Sequence, residues 1–525
     1  MSTRSIESYL REAQQLIATG RLADARGRCS DAAQMAPNDP RIWVLAAHVE
    51  LRLNKLADAV EFFRHAVECE PGNAFILVQY GQALFQLGKR NDALTIALRV
   101  MDLKPERPEL QDALGSLLTH LEEPGRALPF FEQAVRSAPD NAHFRYNLAM
   151  VQRMAGLFEA AEANLDRVIT ARPDDGGAYH ARSDLRVQTA NRNHVNELEA
   201  ALQRFQGKPQ SLPITFALAK ELEDLGEYAR SIANLGAACR AHRASLQYNV
   251  ADDVAVLEKL RATHTAKAIR DRRSQFDTQE CIFIIGLPRS GTTLVSRIVG
   301  SHSDVYSAGE LDSFPNAVIE AVRRLAGGTV NKLDLVERAL QVDFNELGRA
   351  YLASTRPRTG HRPHFTDKLP LNYLYAGLIH SALPRARFIA LRRHPMDSCY
   401  AMYKTLFASA YPFSYDLQDL ALYYAAWHRL MRHWEEVIGE AWLSVSYEEL
   451  VNDQEHVSQR IINHCGLAWE EQCLNFHRQA APVSTASAVH VRRPVYSNSV
   501  GKWRFYAREL EPLARCLTAN GIEVE

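Results

Sequence analysis

Five prolines fall 34 residues apart, at Pro37, Pro71, Pro105, Pro139 and Pro173. Two further ladders run in phase with them. One is Gly20, Asn54, Gly88, Glu122 and Gly156; the other, five residues behind it, is Ala25, Ala59, Ala93, Ala127 and Ala161. Three ladders of one period restrict the first half of the chain to stacked copies of one supersecondary unit. Gly, or Asn in its place, ends the first helix of a pair because it tolerates positive φ. The small Ala lets the second helix pack closely on the first. Pro opens the link to the next unit, where the preceding helix must stop. Glu122 departs from its ladder, and Pro124 is expected to make a tighter turn there instead. A degenerate further unit is expected near residues 213–245, with Gly226 in its turn.

This pattern resembles the tetratricopeptide repeat, a helix–turn–helix unit whose stacked copies form a curved solenoid with a concave groove. The resemblance implies either a peptide- or protein-binding groove or a scaffold that stabilises or dimerises an enzyme. Residues 1–246 are assigned to this all-α solenoid. Residues 247–277 are charged and helical in pattern and read as a connecting helix, with the basic cluster of KLRATHTAKAIRDRRSQF as a solvated face.

A chain of 525 residues leaves room for a second domain with its own core. A formal net charge of -1 gives no support for a chain-wide nucleic-acid or membrane surface. No run approaches the roughly 18 apolar residues of a membrane span, and the charged N-terminal pattern is not a signal-peptide core. The eight cysteines are scattered without a Cys-x-x-Cys pair, so neither a zinc ribbon nor a disulfide framework is indicated. Reduced thiols in a cytoplasmic protein are the expectation.

Residues 278–525 have a different character. The apolar run CIFII at 281–285 reads as a buried parallel strand. It leads into GLPRSGTT at 286–293 and then a helical pattern, the context of a P-loop-like phosphate cradle. The spacing matches G-x-x-x-x-G-K-[ST] except that Thr292 stands where Lys is required. Loss of that Lys argues against a kinase or NTPase. Arg289 supplies positive charge inside the loop, and no metal is needed. The fold expected is an α/β domain with a central parallel sheet.

The segment PRSGTT at 288–293 resembles the 5′-phosphosulfate loop of sulfotransferases that use 3′-phosphoadenosine 5′-phosphosulfate (PAPS), in the form carried by the tyrosylprotein enzymes. The resemblance implies donor contacts from Arg289, Ser290, Gly291, Thr292 and Thr293. RFIALRRHPMD at 387–397 resembles the family's 3′-phosphate motif, which assigns Arg393 to that phosphate; a guanidinium is well suited to bidentate contact. Where the family has Ser, this chain has Ala401, and Ser398 is the substitute considered. Tyr447 in VSYEELV resembles a segment near the nucleotide, and Ser487 and Lys502 resemble a C-terminal loop that closes over PAPS. Arg492 and Arg493 add charge nearby.

The same resemblance assigns catalytic roles. Glu310, 21 residues after Arg289, matches the Gly-Glu base of the tyrosylprotein enzymes, with Asp312 as rival. A carboxylate near a dry pocket suits base work. Lys368, before Leu-Pro, matches the Lys that meets the bridging oxygen, with Arg289 sharing the duty. No His follows Lys368 where small-molecule sulfotransferases have their base. His302, His394 and His428 show no metal-ligand spacing, and the helix ALYYAAWHRLMRHW reads as core. The activity implied is sulfuryl transfer from PAPS to a hydroxyl of a protein tyrosine, glycan or small molecule, with adenosine 3′,5′-bisphosphate as product. The alternative is a repeat scaffold carrying a degenerate, inactive domain.

Overall fold

The structure, a computed structural model, describes residues 5–407, 410–476 and 499–524. It divides into two compact units, Met1–Ala155 and Gly156–Glu525. This division follows compactness, whereas the sequence division at 246/247 follows element type.

The first unit is a stack of helical hairpins: Ile6–Ala18 with Leu22–Met35, Pro40–Arg52 with Leu56–Cys69, Ala74–Gln86 with Arg90–Asp102, and Pro108–His120 with Pro124–Ser137, followed by Ala142–Ala155. Ala25, Ala59, Ala93 and Ala127 are all fully buried, as close helix packing requires. Gly20, Asn54 and Gly88 turn with φ of 76°, 58° and 82°. Glu122 corrects one expectation. It takes the same left-handed turn, with φ 64°, and Pro124 simply opens the next helix. The helix-pair geometry imposes the turn on a non-glycine residue, at a cost of roughly 1 kcal/mol.

In the second unit, the degenerate hairpin is Ser211–Asp224 with Tyr228–Ser245, and Gly226 turns at φ 79°. The stretch read as one connecting helix holds two, Val250–Thr263 and Ala266–Arg270, separated where Thr265 caps the second. The sheet follows. Its strands are β1 (Cys281–Gly286), β2 (Val305–Ser307), β3 (His364–Asp367), β4 (Arg387–Arg392) and β5 (Trp442–Ser446). All pairings are parallel, in the order β2-β3-β1-β4-β5.

Every residue of β1 is buried, which explains its unbroken apolar run. Alternate side chains feed two cores. Ile282 and Ile284 join Val295, Ile298, Ile389 and Val445 on one face. Phe283 and Ile285 join Phe388, Trp427 and Trp434 on the other, and Phe216 and Leu235 of the degenerate hairpin share that core. Trp427 and Trp434 lie on the aromatic helix Leu417–Ile438, which is core as expected.

From the sheet order, β1 and β4 are neighbours whose outgoing connections run to opposite sides, towards β2 and β5. Open parallel sheets bind ligands in the crevice at such a switch point, outside the C-terminal strand ends.

Candidate active site

Each strand delivers one of the expected side chains just past its C-terminal end. Across the sheet these are Glu310 after β2, Lys368 after β3, the loop at 287–291 after β1, Arg393 after β4 and Tyr447 after β5. Residues spread over more than 130 positions of sequence thus share one edge of one sheet.

The loop turns sharply because Arg289 and Gly291 both take positive φ, 68° and 105°. The helix Thr292–Gly300 begins at once, so its free N–H groups and positive dipole end face the same edge. A Cβ on Gly291 would lie 2.6 Å from Tyr447 Cδ2, so the loop rests on that ring. Ser290 is 1% exposed and its Oγ has no hydrogen-bond partner among the described residues. An orphaned buried hydroxyl is costly. Beside a helix N-terminus it suits an anionic oxygen. Thr292 is buried at the helix start, with Thr293 next to it.

The Arg393 guanidinium lies 4.9 Å from the Tyr447 ring centroid. It donates to Arg289 O at 3.0 Å and to Ser499 O at 2.6 Å, while its Nε has no partner among the described residues. Tyr447 OH and Ser499 Oγ share a hydrogen bond of 2.7 Å. The loop, Arg393, Tyr447 and the segment beginning at Ser499 therefore form one connected group. That segment is held further by Asp397, which accepts from Gly501 N at 2.6 Å and Trp503 N at 3.2 Å. His394 stacks on Trp503 at 5.6 Å between centroids.

Lys368 Nζ and Glu310 Oε1 form an ion pair. Lys368 is almost wholly buried, but the Glu310 side chain keeps 39% exposure. The dry pocket expected around Glu310 is therefore absent in this geometry; an ammonium and solvent surround it instead. Asp312 stands at the N-cap position of the helix Ser313–Ala326. Near this pair, Tyr411 takes a left-handed φ of 53°, and burial together with the Glu310 charge pushes its phenol up to about 12. Non-glycine residues in that region are strained, and such strain concentrates at functional sites.

Two expected nucleotide contacts have other partners. Ser398 is buried and its Oγ donates to Arg393 O at 3.5 Å. Lys502 Nζ bonds Glu223 Oε1 at 2.9 Å. Ala401 is buried. Ser487, Arg492 and Arg493 lie outside the described residues. Among the described residues, no group of three or more His, Cys, Asp or Glu side chains is placed to hold a metal ion. None of their helices is long and apolar enough to cross a membrane.

The sequence reading missed Asp367, Glu223 and Asp397. Asp367 is a fully buried carboxylate next to Lys368. Glu223, from the degenerate hairpin, binds Lys404 at 2.6 Å, Lys502 at 2.9 Å, Tyr506 OH at 3.0 Å and Tyr400 OH. Asp397 ends the segment RFIALRRHPMD and Asp367 directly precedes Lys368, so an acid near a functional cation was the available signal. Glu223 had none, because its partners lie 177 to 283 residues away.

Comparison with known proteins agrees with this architecture. The profile of the Sulfotransferase family matches residues 281–471, and a tetratricopeptide-repeat profile matches residues 1–172. An uncharacterized protein of Aquifex aeolicus is 26% identical over 97% of this chain and 69% of its own length. Protein-tyrosine sulfotransferase A of Caenorhabditis elegans is 22% identical over 46% of this chain and 65% of its own. Protein-tyrosine sulfotransferase 1 of Danio rerio is 24% identical over 42% and 65%. The chain carries tetratricopeptide repeats at its N-terminus. Its C-terminal α/β domain carries the sulfotransferase-family match over residues 281–471.

Proposed function

We propose that this protein transfers the sulfuryl group of PAPS to a hydroxyl acceptor by in-line displacement. The observation that carries the reading is the common edge: five strand ends bring an anion cradle, two guanidinium-bearing residues and a carboxylate–ammonium pair to one crevice.

In this reading the loop N–H groups, Ser290 Oγ and Arg289 hold the 5′-phosphosulfate, with Gly291, Thr292 and Thr293 shaping the turn. Arg393 and Tyr447 hold the 3′-phosphate end, and Ser487 and Lys502 belong to the segment that covers the donor. The acceptor oxygen forms a bond to sulfur as the bond from sulfur to the phosphate oxygen breaks. Glu310 takes the acceptor proton. Lys368 leaves Glu310 for the departing phosphate oxygen, so the resting ion pair separates into its two tasks. Sulfuryl transfer resembles phosphoryl transfer, in which positioning and charge stabilisation dominate. The likeness to protein-tyrosine sulfotransferases, together with a repeat groove, favours a peptide acceptor. The eight free cysteines suit a cytoplasmic setting.

Radiosulfate-labelled PAPS, incubated with the protein and either a tyrosine-containing peptide or 4-nitrophenol, tests this directly. Label is expected in the acceptor without added metal. No transfer to either acceptor or to any component of a cell extract, with PAPS intact, would favour the inactive-scaffold alternative.

A further inference from the structure

We propose that Glu223, contributed by the degenerate repeat hairpin, is a positioning residue that anchors the segment 499–506 against Arg393 and Tyr447. Its consequence for donor binding rests on the sulfuryl-transfer reading, but the anchor itself is a separate claim.

The segment is held at two ends. At the first, Ser499 O accepts from Arg393 and Ser499 Oγ shares a hydrogen bond with Tyr447 OH. In the middle, Gly501 N and Trp503 N donate to Asp397, in the first turn of the helix Pro395–Tyr403. At the second end, Lys502 Nζ donates to Glu223 Oε1 at 2.9 Å, and Tyr506 OH donates to Glu223 Oε2 at 3.0 Å. Tyr228 of the same hairpin stacks on Phe505 at 4.4 Å between centroids and meets Tyr506 edge-on at 5.5 Å. The hairpin therefore grips one end of a segment whose other end lies on two residues of the candidate donor site.

The partner set explains why a carboxylate stands here. Lys404, at the C-cap of the helix Pro395–Tyr403, donates to the same Oε1 at 2.6 Å, and Tyr400 OH donates to Oε2. Two ammoniums and two phenols thus converge on one buried side chain. Ammoniums sharing one oxygen repel each other, and the anion between them holds them together. An amide would keep one acceptor oxygen and turn its NH₂ towards donors. Asp397 fixes the segment through main-chain N–H groups, whereas Glu223 fixes it through the side chains of Lys502 and Tyr506. The Glu310–Lys368 pair follows β2 and β3, on the other side of β1 from Arg393 and Tyr447. A loosened segment should therefore weaken donor binding and leave the chemistry of bound donor nearly untouched.

Hydrogen exchange of the full chain reads the anchor without activity. The variants are Glu223→Gln and Tyr506→Phe, the second removing one bond and no charge. In both, peptides covering 499–506 are expected to lose protection while peptides covering β1 and β4 keep theirs. Protection of 499–506 that stays at the parent level in both variants would overturn the anchor. Equal loss in all these peptides would also overturn it, since Glu223 would then support the fold at large.

Calorimetry with adenosine 3′,5′-bisphosphate reads the consequence. Glu223→Gln is expected to weaken binding about tenfold and Tyr506→Phe about threefold, as each loses part of a charge-assisted network. Single-turnover rates with 4-nitrophenol at saturating labelled PAPS should stay within about twofold of the parent. Parent affinity in both variants would reject the positioning role, as would a loss of rate that saturation does not recover. Should Glu223→Gln not fold, Tyr506→Phe decides alone. A parent that binds no bisphosphate would instead reject the sulfuryl-transfer reading, and the exchange data would still decide the anchor.

Discussion

Glu310→Gln is expected to lower turnover by about 10²- to 10⁴-fold, the usual contribution of a general base. The amide cannot take the acceptor proton, yet it nearly keeps the shape of the carboxylate. Nucleotide affinity should stay within about twofold, since Glu310 lies at the β2 end of the edge and the anion cradle lies beyond β3. The substitution also removes the charge that holds Lys368, so the lysine should become free to meet the leaving oxygen. Any residual rate would then reflect charge stabilisation without proton removal. Single-turnover rates with labelled PAPS, set beside calorimetric affinity for adenosine 3′,5′-bisphosphate, separate the two effects. Equal loss of rate and affinity would mark Glu310 as structural.

Glu223→Ala should destabilise the second unit by about 3 kcal/mol, the low end of the cost of breaking a buried ion pair. Burial opposes the Glu223 charge, but Lys404 and Lys502 hold the carboxyl well below its usual range. Truncation leaves two ammoniums facing each other and strips Tyr400 and Tyr506 of their acceptor. The cost stays at the low end because the two lysine side chains keep 31% and 33% exposure and can rehydrate. A carboxyl lowered on folding stabilises above its ordinary range and loses that contribution as pH falls through its folded value. The variant should therefore lie closest to the parent in strong acid. Urea unfolding followed by tryptophan emission reports this unit, since every tryptophan except Trp43 lies in it. An unchanged midpoint would show that the cluster contributes nothing.

Periodicity and strand-to-loop order were legible because they are local. The alanine ladder reports close packing within one hairpin, and CIFII followed by a glycine-rich turn reports a buried strand ending at a cradle. Arg393 follows the same logic, because the apolar run FIAL precedes it with one residue between. Lys368 and Tyr447 follow HFTD and WLSVS, which are not apolar runs, and were legible only by motif resemblance. The contacts among them were not legible. Arg393 meets Ser499 across 106 residues, and Lys502 meets Glu223 across 279. Such pairings depend on how the sheet is wound and on a helical hairpin sharing its core. Glu122 shows the converse: residue preference argued for a different turn, and the geometry of the helix pair prevailed.

The central claim is that the crevice between β1 and β4 takes a sulfated or bisphosphorylated nucleoside in place of a magnesium triphosphate. Calorimetry of the full chain with adenosine 3′,5′-bisphosphate tests it most directly. The account predicts metal-independent binding at about micromolar Kd, near −8 kcal/mol. It also predicts roughly 100-fold weakening in Arg393→Ala, where a charge-assisted contact is lost. Absence of binding heat with the bisphosphate at every temperature tried, or tighter binding of ATP with magnesium, would contradict it.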